Sequence, residues 1–145
     1  GVRLSPERFG MDLEEIELIS QQLINEDKID FLDISLWDCF KYPEDPKFKD
    51  KKLLDYFTNL DLKDVKLTVA GKINSAKDVH DILESKVDFV TIGRAAILHH
   101  DYPKRVMEDI NFKPKQLPVS SAYLQNEGVG EAFIHYLNRW PDFVV

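Results

Sequence analysis

The sequence is poor in several residue types and patterns, and each shortage excludes a class of protein. Its one cysteine, Cys39, cannot form an internal disulfide, so a disulfide-stabilised scaffold is excluded. A lone thiol is typical of a reducing compartment, and we expect a cytoplasmic location. No run of apolar residues approaches the ~20 that a membrane-spanning helix needs, so no membrane partner is expected.

Positively charged residues are also fewer than negatively charged ones. Acidic residues outnumber basic ones by 26 to 19, and the formal net charge is −7. A chain with this balance has no general attraction for nucleic acid, and none is expected as a partner. Hydrophobic residues make up 43% and charged residues 31%, a composition typical of a soluble globular domain rather than of a disordered chain. An anionic ligand must therefore be held by a local basic spot on an acidic chain.

The chain is too short for a complete eight-fold (βα) barrel, which needs about 250 residues. Its 145 residues are still enough for one domain with a sizeable core. It begins with Gly-Val-Arg rather than with methionine or with a charged start and an apolar core. We therefore expect no signal peptide and interpret residue 1 as a cut end.

Short apolar runs alternate with amphipathic stretches, at a spacing of roughly 30 residues. The runs at 30–36, 66–70 and 87–92 are typical of strands whose two faces are both covered. Strands that alternate with helices predict βαβ units and a parallel sheet. Helices are predicted at 51–60, at 95–98 and at 103–110. A further helix is predicted to begin at Asn74 or Ser75, with Val79, Ile82 and Leu83 facing inward.

The first helix and the tail are predicted separately. Asp12, with Glu15 three residues later, is a candidate capping box, and the apolar face that follows holds Leu13, Ile16, Ile19 and Leu23. From residue 111 the alternation stops. The tail is predicted to form one or two short helices that pack on the preceding part.

Two predicted strands end in glycine. Gly71 follows the strand at 66–70, and Gly93-Arg94 follows the strand at 87–92. A glycine lets an anion approach the backbone closely, a helix that opens after it offers free N–H groups, and Arg94 adds a charge-assisted contact. The pair with Arg94 predicts a phosphate site, whereas either glycine alone is better explained as the end of a strand.

At these positions the sequence resembles the old yellow enzyme family of FMN-dependent NADH:flavin oxidoreductases. Arg3-Leu4-Ser5-Pro6 resembles the family's Arg-x-Ser-Pro segment, and residues 70–73 and 88–95 are similar to its last two barrel strands in order and spacing. Residues 31–37 resemble the strand between. The similarity extends over residues 1–110 and is weaker in the tail.

The resemblance implies a fold and roles for individual residues. The fold is α/β: the C-terminal half of a (βα)8 TIM barrel with a parallel sheet over 1–110, and a helical tail over 111–145. Arg3 corresponds to the arginine beside the flavin pyrimidine ring. Gly71, Gly93 and Arg94 correspond to the FMN phosphate site, to which Lys72 is added at a position where the family varies.

The resemblance also implies an activity and partners. NAD(P)H would reduce FMN, and the reduced flavin would pass hydride to an activated alkene or a similar small-molecule acceptor. The family's substrate-anchoring residues and tyrosine proton donor lie in its N-terminal half-barrel, so no catalytic residue is assigned in this chain. An open half-barrel exposes strand edges, so we expect either the missing half or a second copy of the chain as a partner.

Two other readings stay open. The chain could belong to a different phosphate-binding barrel enzyme, an isomerase or an aldolase, in which Arg3 has no flavin role. It could also be a non-catalytic assembly fragment.

The remaining polar residues carry weaker predictions. His99 and His100 resemble a metal pair, but adjacent histidines in an extended chain point apart, so we predict an ordinary loop and no metal site. Asp33 and Asp38 bracket the end of a strand, where they would either face a ligand or form hydrogen bonds within the loop. Trp37 would line a substrate or flavin pocket. His80 and His135 are interpreted as surface or packing residues, and Cys39 is a weak candidate for a reactive thiol.

Overall fold

A computed structural model describes all residues of the chain, Gly1–Val145. It contains four short strands and seven helices, together with one turn of 3₁₀ helix at Pro46–Phe48. The strands are β1 (Val2–Leu4), β2 (Phe31–Ser35), β3 (Lys66–Ala70) and β4 (Phe89–Val90). The helices are α1 (Leu13–Asn25), α2 (Leu53–Thr58), α3 (Ala76–Leu83), α4 (Arg94–Leu98), α5 (Tyr102–Glu108), α6 (Ser121–Asn126) and α7 (Glu131–Leu137).

The chain divides into two compact units. The first contains Gly1–Ile73 and Val79–Thr91, and the second contains Asn74–Asp78 and Ile92–Val145. The whole sheet lies in the first unit, and α4 to α7 lie in the second. The predicted boundary after residue 110 stays a prediction.

The four strands form one parallel sheet in the order β1-β2-β3-β4. The predicted α/β class and the parallel sheet are thereby confirmed. Every strand lies beside the strand that precedes it in the sequence. Right-handed crossovers between strands in this order place their connecting helices on one face of the sheet.

The two faces of the sheet differ in chemistry. One face is wholly apolar, and its central side chains have no exposed surface: Leu32, Ile34, Leu67 and Val69. The other face carries Arg3, Asp33 and Thr68 in one row, because Arg3 lies opposite Asp33 and Asp33 opposite Thr68. Phe31 and Phe89 lie on this second face and are about two-fifths exposed. The apolar face is therefore the core of the first unit. On the polar face Asp33 and Thr68 are also buried, whereas Arg3 is partly exposed.

The start of α1 agrees with the sequence prediction, but part of its predicted apolar face does not. The Asp12 carboxylate accepts hydrogen bonds from the backbone N–H groups of Glu14 and Glu15, which confirms Asp12 as the N-cap. Ile19 was predicted to face inward and is instead exposed. The buried stripe contains Leu13, Ile16, Ser20 and Ile24. At 100° per residue Ile19 lies roughly 100° from the centre of this stripe.

Two further local predictions need correction. Leu83, predicted to face inward from α3, is exposed, whereas Val79 and Ile82 are buried as expected. The strand predicted at 87–92 is reduced to the two residues of β4. Its hydrogen bonds nevertheless extend further, since the N–H of Asp88 donates to Leu67 and that of Thr91 to Val69. The predicted strand is therefore present as an extended segment with a short regular centre.

The second unit has its own apolar core. This core contains Leu98, Val119, Leu124, Ile134, Leu137 and Phe143. Two short tail helices, α6 and α7, confirm the helices predicted there. None of the seven helices is both long and apolar enough to cross a membrane.

Candidate functional site

Arg3, the residue predicted to contact a flavin, lies on the polar face of the sheet. Its Nε is 3.5 Å from Oδ2 of Asp33, and its Nη2 donates to the Ser35 hydroxyl at 3.3 Å. About half of the Arg3 side chain is exposed, whereas Asp33 is buried. The guanidinium is thus held by two residues of β2 while part of it remains open to a ligand.

The sequence left two roles open for Asp33, contact with a ligand or hydrogen bonds within the loop. Burial raises the pKa of its carboxyl, although the Arg3 charge and the Thr91 hydroxyl both act to lower it. Its Oδ1 is buried and makes no hydrogen bond. A buried acceptor without a donor is costly, so a ligand N–H at this position would be favoured. Next to it, the hydroxyls of Thr68 and Thr91 lie 3.2 Å apart.

The structure explains why position 71 holds a glycine, which the sequence alone did not. Its φ is +152°, and a Cβ added there would lie 2.6 Å from the Asp38 nitrogen and 2.7 Å from the Trp37 carbonyl carbon. The Gly71 carbonyl also accepts a hydrogen bond from the Cys39 N–H at 3.0 Å. Close approach of the turn after β2 therefore accounts for a glycine at position 71, and its phosphate contact stays a prediction.

Lys72 lies beside a carboxylate. Its Nζ is 2.9 Å from Oδ2 of Asp38. Burial acts to raise the pKa of Asp38, but the hydrogen bond from Lys72 and the N–H of Phe40 outweigh it and lower that pKa. Asp38 therefore makes the hydrogen bonds within the loop that were one of its two predicted roles. Cys39, in the same loop, is buried, which favours packing over reactivity.

Gly93 and Arg94 belong to the second unit. Gly93 precedes α4, and its carbonyl accepts hydrogen bonds from the N–H groups of Ala96 and Ile97. A Cβ at Gly93 would meet no atom within 4 Å, so there is open space beside this backbone. Arg94 is exposed, and the first amides of a helix have no acceptor within the helix. These features leave room and donors for an anion.

A second polar cluster lies in the same unit. One ligand atom from each of His99, Asp101 and Glu127 lies within 4.8 Å of the others, a separation that suggests a metal site. However, the Lys115 N–H donates to His99 Nε2 at 2.9 Å. The proton of the neutral ring then lies on Nδ1, the nitrogen that a metal would need. A metal at Nδ1 would have to displace both this proton and the hydrogen bond from Lys115.

The other two candidate ligands also have internal partners. Asp101 Oδ1 accepts from Arg105 Nε at 2.7 Å. Glu127 Oε2 is 2.8 Å from His100 Nδ1 and accepts from the His100 N–H at 3.0 Å. The bonds between His100 and Glu127 link the segment between α4 and α5 to the turn after α6. We interpret the cluster as a structural connection, and no metal is assigned to it.

This cluster predicts how the stability of the chain depends on pH. Burial lowers the pKa of His99 below its ordinary 6.5. Burial alone would raise the pKa of Glu127, but the hydrogen bonds from His100 outweigh it and lower that pKa. Both groups therefore bind protons more readily in the unfolded chain. The free energy of unfolding should fall as the pH drops through 6.5, and fall further below 4.5.

The measurement is urea denaturation between pH 8 and pH 4, followed by tryptophan fluorescence. His99→Gln removes the titrating ring and should flatten the dependence on pH near 6, whatever its effect on absolute stability. His135, an exposed histidine of α7, provides the matched control variant His135→Gln. An equal pH dependence in the wild type and in His99→Gln would contradict the assignment.

The chain matches no protein-family model, and it matches no curated protein. A function is therefore inferred from the residues of this chain, by their geometry and by the sequence resemblance described above. Arg3 and Asp33 lie together on the polar face, and Gly71 and Lys72 lie in the same unit. Gly93 and Arg94 belong to the second unit.

Proposed function

We propose that the chain is the C-terminal part of an FMN-dependent NAD(P)H oxidoreductase. When bound, FMN would supply hydride transfer from NAD(P)H to an activated alkene or a similar acceptor. Arg3 would bind the pyrimidine end of the flavin, and the resemblance assigns its phosphate to Gly71, Lys72, Gly93 and Arg94. The resemblance of the sequence to the old yellow enzyme family suggests this assignment.

The observation that carries the proposal is the polar second face of the parallel sheet. Parallel sheets ordinarily carry apolar residues on both faces. Here one face is apolar, while the other carries Arg3, Asp33 and Thr68, of which Asp33 and Thr68 are buried and Arg3 is half exposed. Four parallel strands in sequential order fit half of a (βα)8 barrel. A missing N-terminal half, or a second copy of the chain, would complete it.

The polar groups on this face fit the edge of a flavin. The Arg3 guanidinium is a donor, and the buried Asp33 Oδ1 beside it is an acceptor without a partner. The pyrimidine edge of a flavin presents carbonyl oxygens and an N–H group side by side. A fixed cation at this edge would stabilise negative charge on the reduced ring. Arg3 would therefore bind and orient this edge, while Asp33 positions the guanidinium.

The proposal is tested by comparing FMN with riboflavin, which lacks the phosphate. The visible spectrum and intact mass of the purified protein first show whether flavin is bound. The apoprotein is then titrated with each flavin, and protein fluorescence is recorded. Arg94→Gln should weaken FMN binding by about ten- to a hundredfold, because a hydrogen bond to a charged group contributes roughly 1.5–3 kcal/mol. Riboflavin binding should not change.

Arg139→Gln is the matched control, since Arg139 is another exposed arginine of the second unit. Equal weakening of both flavins by Arg94→Gln would contradict a phosphate role. A protein that binds inorganic phosphate through Arg94 but neither flavin would support the alternative isomerase or aldolase. Absence of all three interactions would favour a non-catalytic assembly fragment.

A further inference from the structure

The ion pair between Arg3 and Asp33 holds its two charges in unequal surroundings. The Arg3 side chain is 54% exposed, whereas that of Asp33 is 11% exposed. The Arg3 Nε lies 3.5 Å from Asp33 Oδ2, a separation at which the charges attract each other but a hydrogen bond is weak. One partner of the pair is therefore open to a ligand, and the other is enclosed by the protein.

The Arg3 guanidinium keeps hydrogen-bond donors for a ligand. Its Nη2 donates to the Ser35 hydroxyl at 3.3 Å, and its Nε faces Asp33. A guanidinium carries five N–H donors in one plane, so both N–H groups of Nη1 and the second one of Nη2 remain. Two parallel donors of this kind bind two oxygens of a planar oxyanion side by side.

The Asp33 carboxylate opposes such a ligand as long as it is ionised. An anion on the open side of Arg3 would share that cation with Asp33, and two like charges at one site repel each other. The repulsion is poorly screened, because Asp33 is buried. Arg3 and Asp33 already balance each other, so a bound anion leaves one excess negative charge. A proton on Asp33 would remove this excess.

The surroundings of Asp33 allow it to bind that proton. Its Oδ1 is enclosed and accepts no hydrogen bond, so a proton on this atom breaks no existing contact. Burial raises the pKa of the carboxyl, although the Arg3 charge and the Thr91 hydroxyl act to lower it. Thr68 lies opposite Asp33 in the strand register, and its hydroxyl is 3.2 Å from that of Thr91. These neighbours are thus one cation, Arg3, and two hydroxyl groups whose hydrogens can rotate.

We propose that Arg3 and Asp33 form a site that binds a planar oxyanion together with one proton. The anion contacts the open edge of the Arg3 guanidinium, and the proton, taken from solvent, is held by the Asp33 carboxyl. Asp33 is a positioning residue that acts through Arg3. The coupling itself is independent of the function proposed above. Its application to a flavin rests on that function: the flavin edge at Arg3 would gain negative charge on reduction, and Asp33 would bind one proton at the same time.

The coupling determines how the affinity for an anion depends on pH. Below the pKa of Asp33 in the free chain, the carboxyl is neutral and the affinity is highest. Above that pKa, each pH unit should weaken binding about tenfold, because one proton is taken up with each anion. The dependence ends at the pKa of Asp33 in the complex, which the bound anion raises. Nitrate is the probe, since it is planar and stays a monoanion over the whole range.

The experiment uses the chain without flavin, labelled with ¹³C and ¹⁵N. Nitrate titrations between pH 4 and pH 8 follow the NMR signal of the Arg3 Nε–H group. The carboxyl ¹³C signal of Asp33 gives its pKa with and without nitrate. Asp33→Asn, which is neutral at every pH, should bind nitrate with an affinity that does not depend on pH. Asp88→Asn is the matched control and should keep the dependence, since Asp88 pairs with Lys66 at 3.0 Å instead of with Arg3.

Several results would overturn the proposal. They are absence of nitrate binding at every pH, equal affinities at pH 4 and pH 8, a pH dependence that persists in Asp33→Asn, and nitrate binding that Arg3→Gln leaves unchanged. If Asp33→Asn does not fold, the carboxyl titration of the wild type decides alone, and a pKa of Asp33 that nitrate does not raise rejects the coupling. Coupled nitrate binding by a chain that binds no flavin would retain the site and reject the oxidoreductase. Flavin binding without the coupling would give the reverse result.

Discussion

Gly71→Ala is expected to lower the free energy of unfolding by about 3 kcal/mol or more. Two costs add at this position: a φ that alanine rarely adopts, and a Cβ forced against backbone atoms that cannot rotate away. The added atom would lie 2.6 Å from the Asp38 nitrogen and 2.7 Å from the Trp37 carbonyl carbon. The turn after β2 would have to move. The emission of Trp37 in the folded state should change with it.

Gly93→Ala is the control for Gly71→Ala. The Cβ at position 93 has no neighbour within 4 Å, and Gly93 has a φ of −103°. Gly93 is the N-cap of α4, where alanine is less favourable than glycine, so Gly93→Ala should lower the free energy of unfolding by about 1 kcal/mol, well below the loss in Gly71→Ala. Urea denaturation of the three proteins at pH 7 makes the comparison. Similar stabilities for Gly71→Ala and the wild type would mean that the Trp37 turn does not approach Gly71 as closely as described.

The same pair of variants separates a structural glycine from a ligand-binding glycine. If the space beside Gly93 receives a phosphate, Gly93→Ala weakens FMN binding although it destabilises the chain much less than Gly71→Ala does. If Gly71→Ala loses stability and Gly93→Ala binds FMN as the wild type does, Gly71 keeps its packing role alone. The two glycines look alike in the sequence, where each simply follows a strand.

Arg3→Ala should slow reduction of bound FMN by NAD(P)H about a hundred- to a thousandfold in the complete, flavin-loaded protein. Removing one preorganised donor at a site of developing charge has an effect of this size. The guanidinium is held by Asp33 and Ser35, so little reorganisation is needed when charge develops. Rapid-mixing absorbance at the flavin band measures the rate. The midpoint potential of the flavin should fall as well, since the reduced anion loses its cation.

Arg3→Lys is the companion variant. It retains the charge but cannot contact Asp33 and Ser35 with the same planar fork, so an intermediate rate is expected. A flavin that is reduced at the wild-type rate in Arg3→Ala would remove Arg3 from the flavin site. The isomerase or aldolase reading, in which Arg3 has no such duty, would then be preferred.

Local features of the fold were predictable because they depend on neighbouring residues. Asp12 caps α1 as its sequence context indicates, and the apolar run at 66–70 is β3 with the predicted bounds. Helical periodicity placed the tail helices without indicating what their faces contact. The same periodicity failed for Ile19, which lies roughly 100° from the centre of its stripe, and for Leu83, which is the last residue of α3. Burial at such positions depends on how far the opposite surface extends, which the helix sequence does not contain.

The candidate site was likewise predictable from the sequence only in part. The sequence alone determined an α/β chain with a parallel sheet, a net negative charge and glycines that follow two strands. Only the tertiary structure brought Asp33 to Arg3, packed Gly71 against the Trp37 turn and set Phe9 beside Trp37. Each of these pairs is separated by about thirty positions in the chain, so strand register decides the contact rather than local preference. For the same reason, the sequence predicts only an ordinary loop at His99 and His100, whereas the tertiary structure places Asp101 and Glu127 near His99 and the Lys115 N–H on its Nε2.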